Sequence, residues 1–237
     1  MRAVAAAGLA GAVLCVALVA RSPAPAAAPE MIGQSVQGKP ILVEQLGDPT
    51  SGRVALVVGV IHGNERAGLQ VTRILRERFA GLVGAQIWVI DTVNPDGLAE
   101  LTRKNARGVD LNRNFPYRWR GGHGGIFNPG PSPASEPETQ AVMQFAQRIH
   151  PDVSIWYHQH LNAVLACPGP KSAAHYAKLV KMRTSCKWKR LHGTAISWEE
   201  HALPGAQAFV VELHGGSLSG AEANRHAHAA VQIARGG

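Results

Sequence analysis

The run Val54-Ala55-Leu56-Val57-Val58-Gly59-Val60-Ile61 carries no polar side chain and lies between Arg53 and His62. An apolar run of this length suits a strand buried on both faces, the kind found in parallel sheets covered by helices. Shorter apolar segments recur at Ile87–Asp91, Val153–Tyr157 and Ala208–Leu213. Segments with helical periodicity separate them. One runs from Glu65 to Phe79, with Leu69, Val71, Ile74 and Leu75 apolar. Another spans Glu136–Ile149, with Pro137 in its first turn and Ser135 as N-cap. Ala173–Arg183 and Ser219–Ala234 follow. The alternation predicts an α/β fold: one domain with a mixed, mostly parallel twisted sheet and helices on both faces. Asn94-Pro95-Asp96-Gly97 reads as a turn. The Gly-, Asn- and Pro-rich stretch from there to about Ser135 reads as a long functional loop. Ligands of such sheets bind beyond the strand ends, so the residues that follow each strand matter most.

The 237 residues fit one compact domain, which we place at 31–237. Residues 1–28 read as a secretory signal and Ala/Pro linker. Arg2 precedes an apolar run from Ala3 to Ala20, and small residues around Ala26 offer a cleavage zone. The alternative is an uncleaved N-terminal anchor. Localisation is therefore expected to be secreted, periplasmic or wall-associated. With Cys15 inside the apolar run, Cys167 and Cys186 remain, an even pair compatible with a disulfide in an exported protein, with two buried free thiols or with one thiol serving as a metal ligand. The formal charge is +8, and loss of Arg2 and Arg21 with the signal would leave +6. Lys171, Lys178, Lys181, Arg183, Lys187, Lys189 and Arg190 form a basic cluster. Aromatics are not interleaved with it in the way a single-strand binder would need, so it reads as a solvated helix face and basic loop, and no nucleic-acid partner is expected. No later segment is long and apolar enough to span a bilayer.

His62 and Glu65 follow the first buried run at a spacing of three. Imidazole and carboxylate are ordinary zinc donors, although an acid in a first helical turn also has a purely electrostatic explanation. His158 ends a different strand, with His160 as its competitor, and would complete three protein ligands with one open position, as catalytic zinc requires. Glu212 sits in the apolar Phe209-Val210-Val211-Glu212-Leu213. A buried carboxylate there must line a cavity, meet a cation or titrate upward; the alternative is a salt-bridged core acid. The segment Arg103–Pro116 is dense in guanidinium and amide groups, and the Asn112-Arg113 pair suits a substrate carboxylate.

HGNE at 62–65, NPDG at 94–97, GVDLNRNFP at 108–116, SEPET at 135–139, the strand ending in His158 and VVELHG at 210–215 occur in this order. Together they resemble the zinc metallocarboxypeptidase family over roughly residues 54–215. The resemblance implies one zinc ion per chain held by His62, Glu65 and His158. It makes Glu212 the general base and acid, and Arg103, seven residues before Asp110, the group that polarises the scissile carbonyl. Asn112 and Arg113 would hold the substrate carboxylate, and Asp110 would orient His62. The choice of His158 over His160 follows from the family habit of a cis peptide just after the ligand, here Gln159-His160. The segment Gly193–Trp198 through Leu203-Pro204-Gly205 is similar to the compact bacterial branch typified by murein peptide amidases, which cut the γ-D-glutamyl–diaminopimelate bond. The expected activity is zinc-dependent hydrolysis of an amide bond next to a free carboxylate in wall peptides, by a monomer. The alternatives are a general carboxypeptidase of peptide C-termini and a non-catalytic wall- or peptide-binding module.

Overall fold

The computed structural model describes residues 28–122, 124–165, 169–186 and 191–237. The signal and linker expectation for residues 1–28 falls almost wholly outside them, as do Cys167, Lys187, Lys189 and Arg190. Cys186 is disulfide-bonded. Among the described residues no helix is long and apolar enough to cross a membrane.

Among the described residues seven strands form one mixed sheet: β1 (Glu30–Gln34), β2 (Pro40–Gly47), β3 (Val54–Val60), β4 (Gln86–Thr92), β5 (Val153–Leu165), β6 (Arg183–Ser185) and β7 (Gln207–His214). The path is β1-β2-β4-β3-β5-β6, and β7 pairs with β5. β1 and β2 are antiparallel to their neighbours, while β3 pairs in parallel with both β4 and β5. β7 also runs parallel to the first part of β5, with Val153 opposite Gln207 and His158 opposite Glu212.

The central strands alternate between two apolar cores, as a period of two requires. Ala55, Val57, Ile155, Tyr157, Phe209 and Val211 face one core. It is covered by α1 (Gly68–Phe79), α4 (Lys171–Val180) and α6 (Gly220–Ala234). Leu56, Val58, Trp156 and Val210 face the other, covered by α3 (Pro137–Ile149) and α5 (Ala195–Ala202). The expected α/β domain with helices on both faces is what the chain forms.

Several local expectations are corrected. α1 starts at Gly68 rather than Glu65, because residues 62–67 form a turn that Glu65 N–H closes by donating to His62 O at 2.9 Å. The segment after Asn94 is a short helix, α2 (Pro95–Glu100); Asn94 Oδ1 accepts from Gly97 N at 2.9 Å and caps it. α3 is N-capped at Glu136, not Ser135, whose hydroxyl instead donates to Glu136 Oε1 at 2.7 Å. α4 ends at Val180, and Arg183–Ser185 is the short strand β6 rather than its last turn. α6 starts at Gly220, one residue after the expected Ser219, which instead caps it in a box closed reciprocally by Glu222.

Glu199 of α5 is fully buried and accepts from Trp156 Nε1 at 2.9 Å. Burial pushes its carboxyl up to about 7; Glu200 adds to the rise, and Ser154 and Trp156 only partly oppose it. An acid whose pKa is raised on folding holds its proton more tightly when folded. It destabilises the fold as pH climbs from the unfolded value of 4.5 through about 7. Over that window unfolding free energy should fall by about 3 kcal/mol at 1.36 kcal/mol per pKa unit. Glu199→Gln should flatten the profile and make the protein more stable than the parent at pH 8. Urea melts at pH 5, 6.5 and 8 test this, and an unchanged pH slope in the variant would refute it.

Candidate active site

β5 lies between β3 and β7 and continues to Leu165; His62 just past the end of β3, His158 midway along β5 and Glu212 near the end of β7 reach the same cavity. Val58 of β3 is in register with Trp156 of β5, so His62 leaves the sheet beside His158. The turn carrying His62 is held down by close backbone packing. A Cβ on Gly63 would lie 1.9 Å from the carbonyl carbon of Gly97, so the HGNE turn needs its glycine to pass the NPDG backbone. Asn94 Nδ2 also donates to Ile61 O at 3.3 Å and Arg103 O at 3.4 Å, fixing the loop that carries Arg103.

One donor atom from each of His62, Glu65 and His158 falls within 4.8 Å of the others. The two rings meet edge to face, with centroids 4.8 Å apart. Glu65 bridges them: Oε1 is 3.0 Å from His62 Nδ1, and Oε2 is 2.9 Å from His158 Nδ1. His62 Nδ1 is buried and makes no hydrogen bond of good geometry, whereas Nε2 meets Asp110 Oδ1 at 3.0 Å. A buried ring nitrogen with an open lone pair, next to a second imidazole and a carboxylate, is the donor set zinc takes, and the partner on the far nitrogen fixes the ring. His62, Glu65 and His158 thus form a single zinc site. The Gln159-His160 peptide is cis, as expected for the residue pair after the ligand.

Charge around the site is balanced. Burial pushes the Glu65 carboxyl up, but His158 and His62 more than reverse this and hold it low. Burial likewise opposes ionisation of Asp110, yet His62, Arg103 and Arg113 hold it at about 2. Arg103 spans both acids: its Nε and Nη2 each lie 2.9 Å from Asp110 Oδ2, and its Nη1 is 3.1 Å from Glu65 Oε1.

All the remaining residues singled out from the sequence except Asp110 line one cavity of about 680 Å³ with the zinc ligands: Arg103, Asn112, Arg113 and Glu212. Asp110 stands fully buried behind His62. Asn112 is engaged on both sides of its amide, Oδ1 accepting from Ala195 N at 3.0 Å and Nδ2 lying 3.3 Å from His158 Nε2. Arg113 has no carboxylate partner among the described residues; Nη1 donates to Asn112 O at 2.6 Å. Burial lowers its pKa, an effect partly offset by Asp110. Glu212 stands in register with His158, and its Oε2 is buried without a hydrogen-bond partner. Burial raises its pKa; His158 pulls it back and Glu65 adds to the rise.

Sequence reasoning missed Phe127, whose ring lies 5.3 Å from the Arg103 guanidinium and 5.2 Å from that of Arg113 at the cavity wall. It also missed Glu200, which lines the same cavity. Neither residue stands in a motif. Only the spacing of Glu200 four residues after Ile196 on one helix hints that the two share a face.

Comparison with known proteins agrees with this geometry. The sequence model of the zinc carboxypeptidase family matches residues 16–186. Murein peptide amidase A of Escherichia coli K12 is 33% identical over 150 residues, covering 57% of this chain and 60% of that protein. The carboxypeptidase N catalytic chain of Rattus norvegicus is 31% identical over 184 residues, covering 61% of this chain and 40% of that one. The chain therefore spans less than two thirds of the length of these curated relatives. Among solved structures, murein-tripeptide amidase MpaA from Escherichia coli O157 superposes with a TM-score of 0.74 at 25% identity, covering 87% of this chain and 91% of that one. Carboxypeptidase A from Helicoverpa armigera superposes with a TM-score of 0.72 at 17% identity, covering 88% of this chain and 68% of that one, a likeness of fold.

Proposed function

The chain belongs to the zinc carboxypeptidase family and is a zinc metallopeptidase; on that premise we propose that it hydrolyses the amide bond next to a free carboxylate in cell-wall peptides, after export. The observation that carries the reading is the pairing of His158 with Glu212 across β5 and β7, which puts an unsatisfied carboxylate oxygen in the cavity of the zinc ligands. The preference for wall peptides rests on the likeness to murein peptide amidase A. Export rests on the Arg2–Ala28 sequence pattern.

When bound, zinc supplies Lewis acidity toward a water molecule and the scissile carbonyl. Glu212 is the general base, taking a proton from the attacking water and returning it to the departing amine; burial raises its pKa, the direction that helps it accept the proton. Arg103 turns a guanidinium toward the developing oxyanion, held ready by Asp110 and Glu65 so that little reorganisation is needed. Arg113 and Asn112 receive the substrate carboxylate, which converts remote binding into alignment of the bond to be cut. Asp110 orients His62 through Nε2 and leaves Nδ1 for the metal.

The test is a zinc measurement on the purified protein together with two assays, one on a γ-D-glutamyl–diaminopimelate tripeptide and one on blocked dipeptides with free C-termini. About one zinc per chain and faster hydrolysis of the wall peptide are expected. Equal or faster hydrolysis of the dipeptides would move the assignment to a general carboxypeptidase, the activity that the name of the carboxypeptidase N relatives describes.

A further inference from the structure

Phe127 is 54% exposed, yet its ring is set against two cations. The Arg103 guanidinium carbon lies 5.3 Å from the ring centroid and that of Arg113 5.2 Å, both within the range of cation–π attraction. The backbone beside the ring is pinned. Asn128, the next residue, accepts from Asp110 N through its backbone oxygen at 2.8 Å and donates from Nδ2 to Gly108 O at 2.8 Å. The segment carrying Phe127 is thereby tied to the loop that runs between the two arginines.

The arginines differ in what else holds them. Arg103 pairs with both Asp110 and Glu65. Arg113 donates only to the backbone oxygen of Asn112 among the described residues. All 16 Asp and Glu of the chain lie among those residues, and none forms an ion pair with Arg113. A carboxylate partner would hold this guanidinium but would also occupy its N–H groups and cancel its charge. An aromatic ring attracts the cation through its electron-rich face and does neither.

We propose that Phe127 is a positioning residue for Arg113: its ring holds the guanidinium in place while leaving the charge and the N–H donors for the substrate carboxylate. The inference rests on the reading of Arg113 as the anchor of that carboxylate. Arg103 keeps two carboxylates when the ring is removed, so the loss falls on Arg113 and hence on binding more than on turnover.

The experiment uses a γ-D-glutamyl–diaminopimelate tripeptide and its analogue in which the carboxylate beside the scissile amide is a carboxamide, both with the zinc-loaded full chain. The parent should favour the acid. Phe127→Leu keeps an apolar side chain and removes the ring. Its kcat/KM on the acid should fall about 3- to 10-fold, mostly through KM, with the carboxamide within about twofold of the parent rate. Phe127→Trp retains a ring and should stay within about twofold of the parent on both peptides. Calorimetric titration of the two peptides into zinc-loaded Glu212→Gln protein, with and without Phe127→Leu, gives a readout that needs no turnover. A parent that handles acid and carboxamide alike removes the anchor reading of Arg113, and the role of Phe127 with it. A parent that favours the acid, with Phe127→Leu keeping that preference in full or Phe127→Trp losing as much as Phe127→Leu, overturns the role of Phe127 alone. An equal loss on both peptides carried by kcat overturns it too, since the ring would then serve Arg103. If neither peptide is cut but the acid binds more tightly in a Phe127-dependent way, the positioning stands and the hydrolytic reading fails.

Discussion

Glu212→Gln should keep one zinc per chain and lose about 10²- to 10⁴-fold in kcat, the usual contribution of a general acid–base. The substitution preserves shape and removes only the ability to accept and return a proton. Because Glu212 is not among the metal ligands, zinc content should not change. Its Oε2 has no internal hydrogen bond to lose, so folding should also be close to that of the parent. KM should move far less than kcat, since the interaction lost belongs to the transition state rather than to substrate binding. Turnover within a factor of a few of the parent would remove Glu212 from the chemistry.

His158→Ala is expected to strip the metal, whereas His160→Ala should leave it in place. His158 is 4% exposed and bonded to Glu65, while His160 lies beyond the cis step and is exposed. Even loss of a group that only orients a ligand lowers metal affinity about 10- to 100-fold, so loss of a ligand should cost more than about 100-fold. Activity should fall with the zinc. Titration of each apo-variant with zinc against a competing chelator checks this, with thermal melts to confirm that both variants fold. Metal retained by His158→Ala and lost by His160→Ala would transfer the ligand to position 160.

The parts of the fold that were legible share one property: their local signal agrees with their tertiary setting. β3 and β7 are buried on both faces and read as continuous apolar runs. α6 carries a capping box that states its own start. β6 is three residues, Arg-Thr-Ser, with no apolar face, and exists only because β5 lies alongside. β2 alternates about an acid and half-buried residues, which dilutes its pattern. α5 contains two adjacent acids, one fully buried and one facing the cavity, so its helical stripe is masked. At the site, the ligand and acid positions were legible because they end apolar runs of sequence or follow them in recognisable motifs, although β5 itself continues past His158 to Leu165. Phe127 and Glu200 were not, because what matters about them is the neighbours they meet across the cavity.

One consequence follows from placing His158 on the strand shared by β3 and β7. Strand faces alternate, so a mispairing of β5 by a single position would swing the imidazole into the layer that holds Tyr157 and leave the ion two donors short of a tetrahedron. Zinc therefore recognises only molecules whose central pairing is correct. Its binding weights that arrangement over misaligned ones as its free concentration rises, so the ion serves as an assembly check on the middle of the sheet as well as an instrument of hydrolysis.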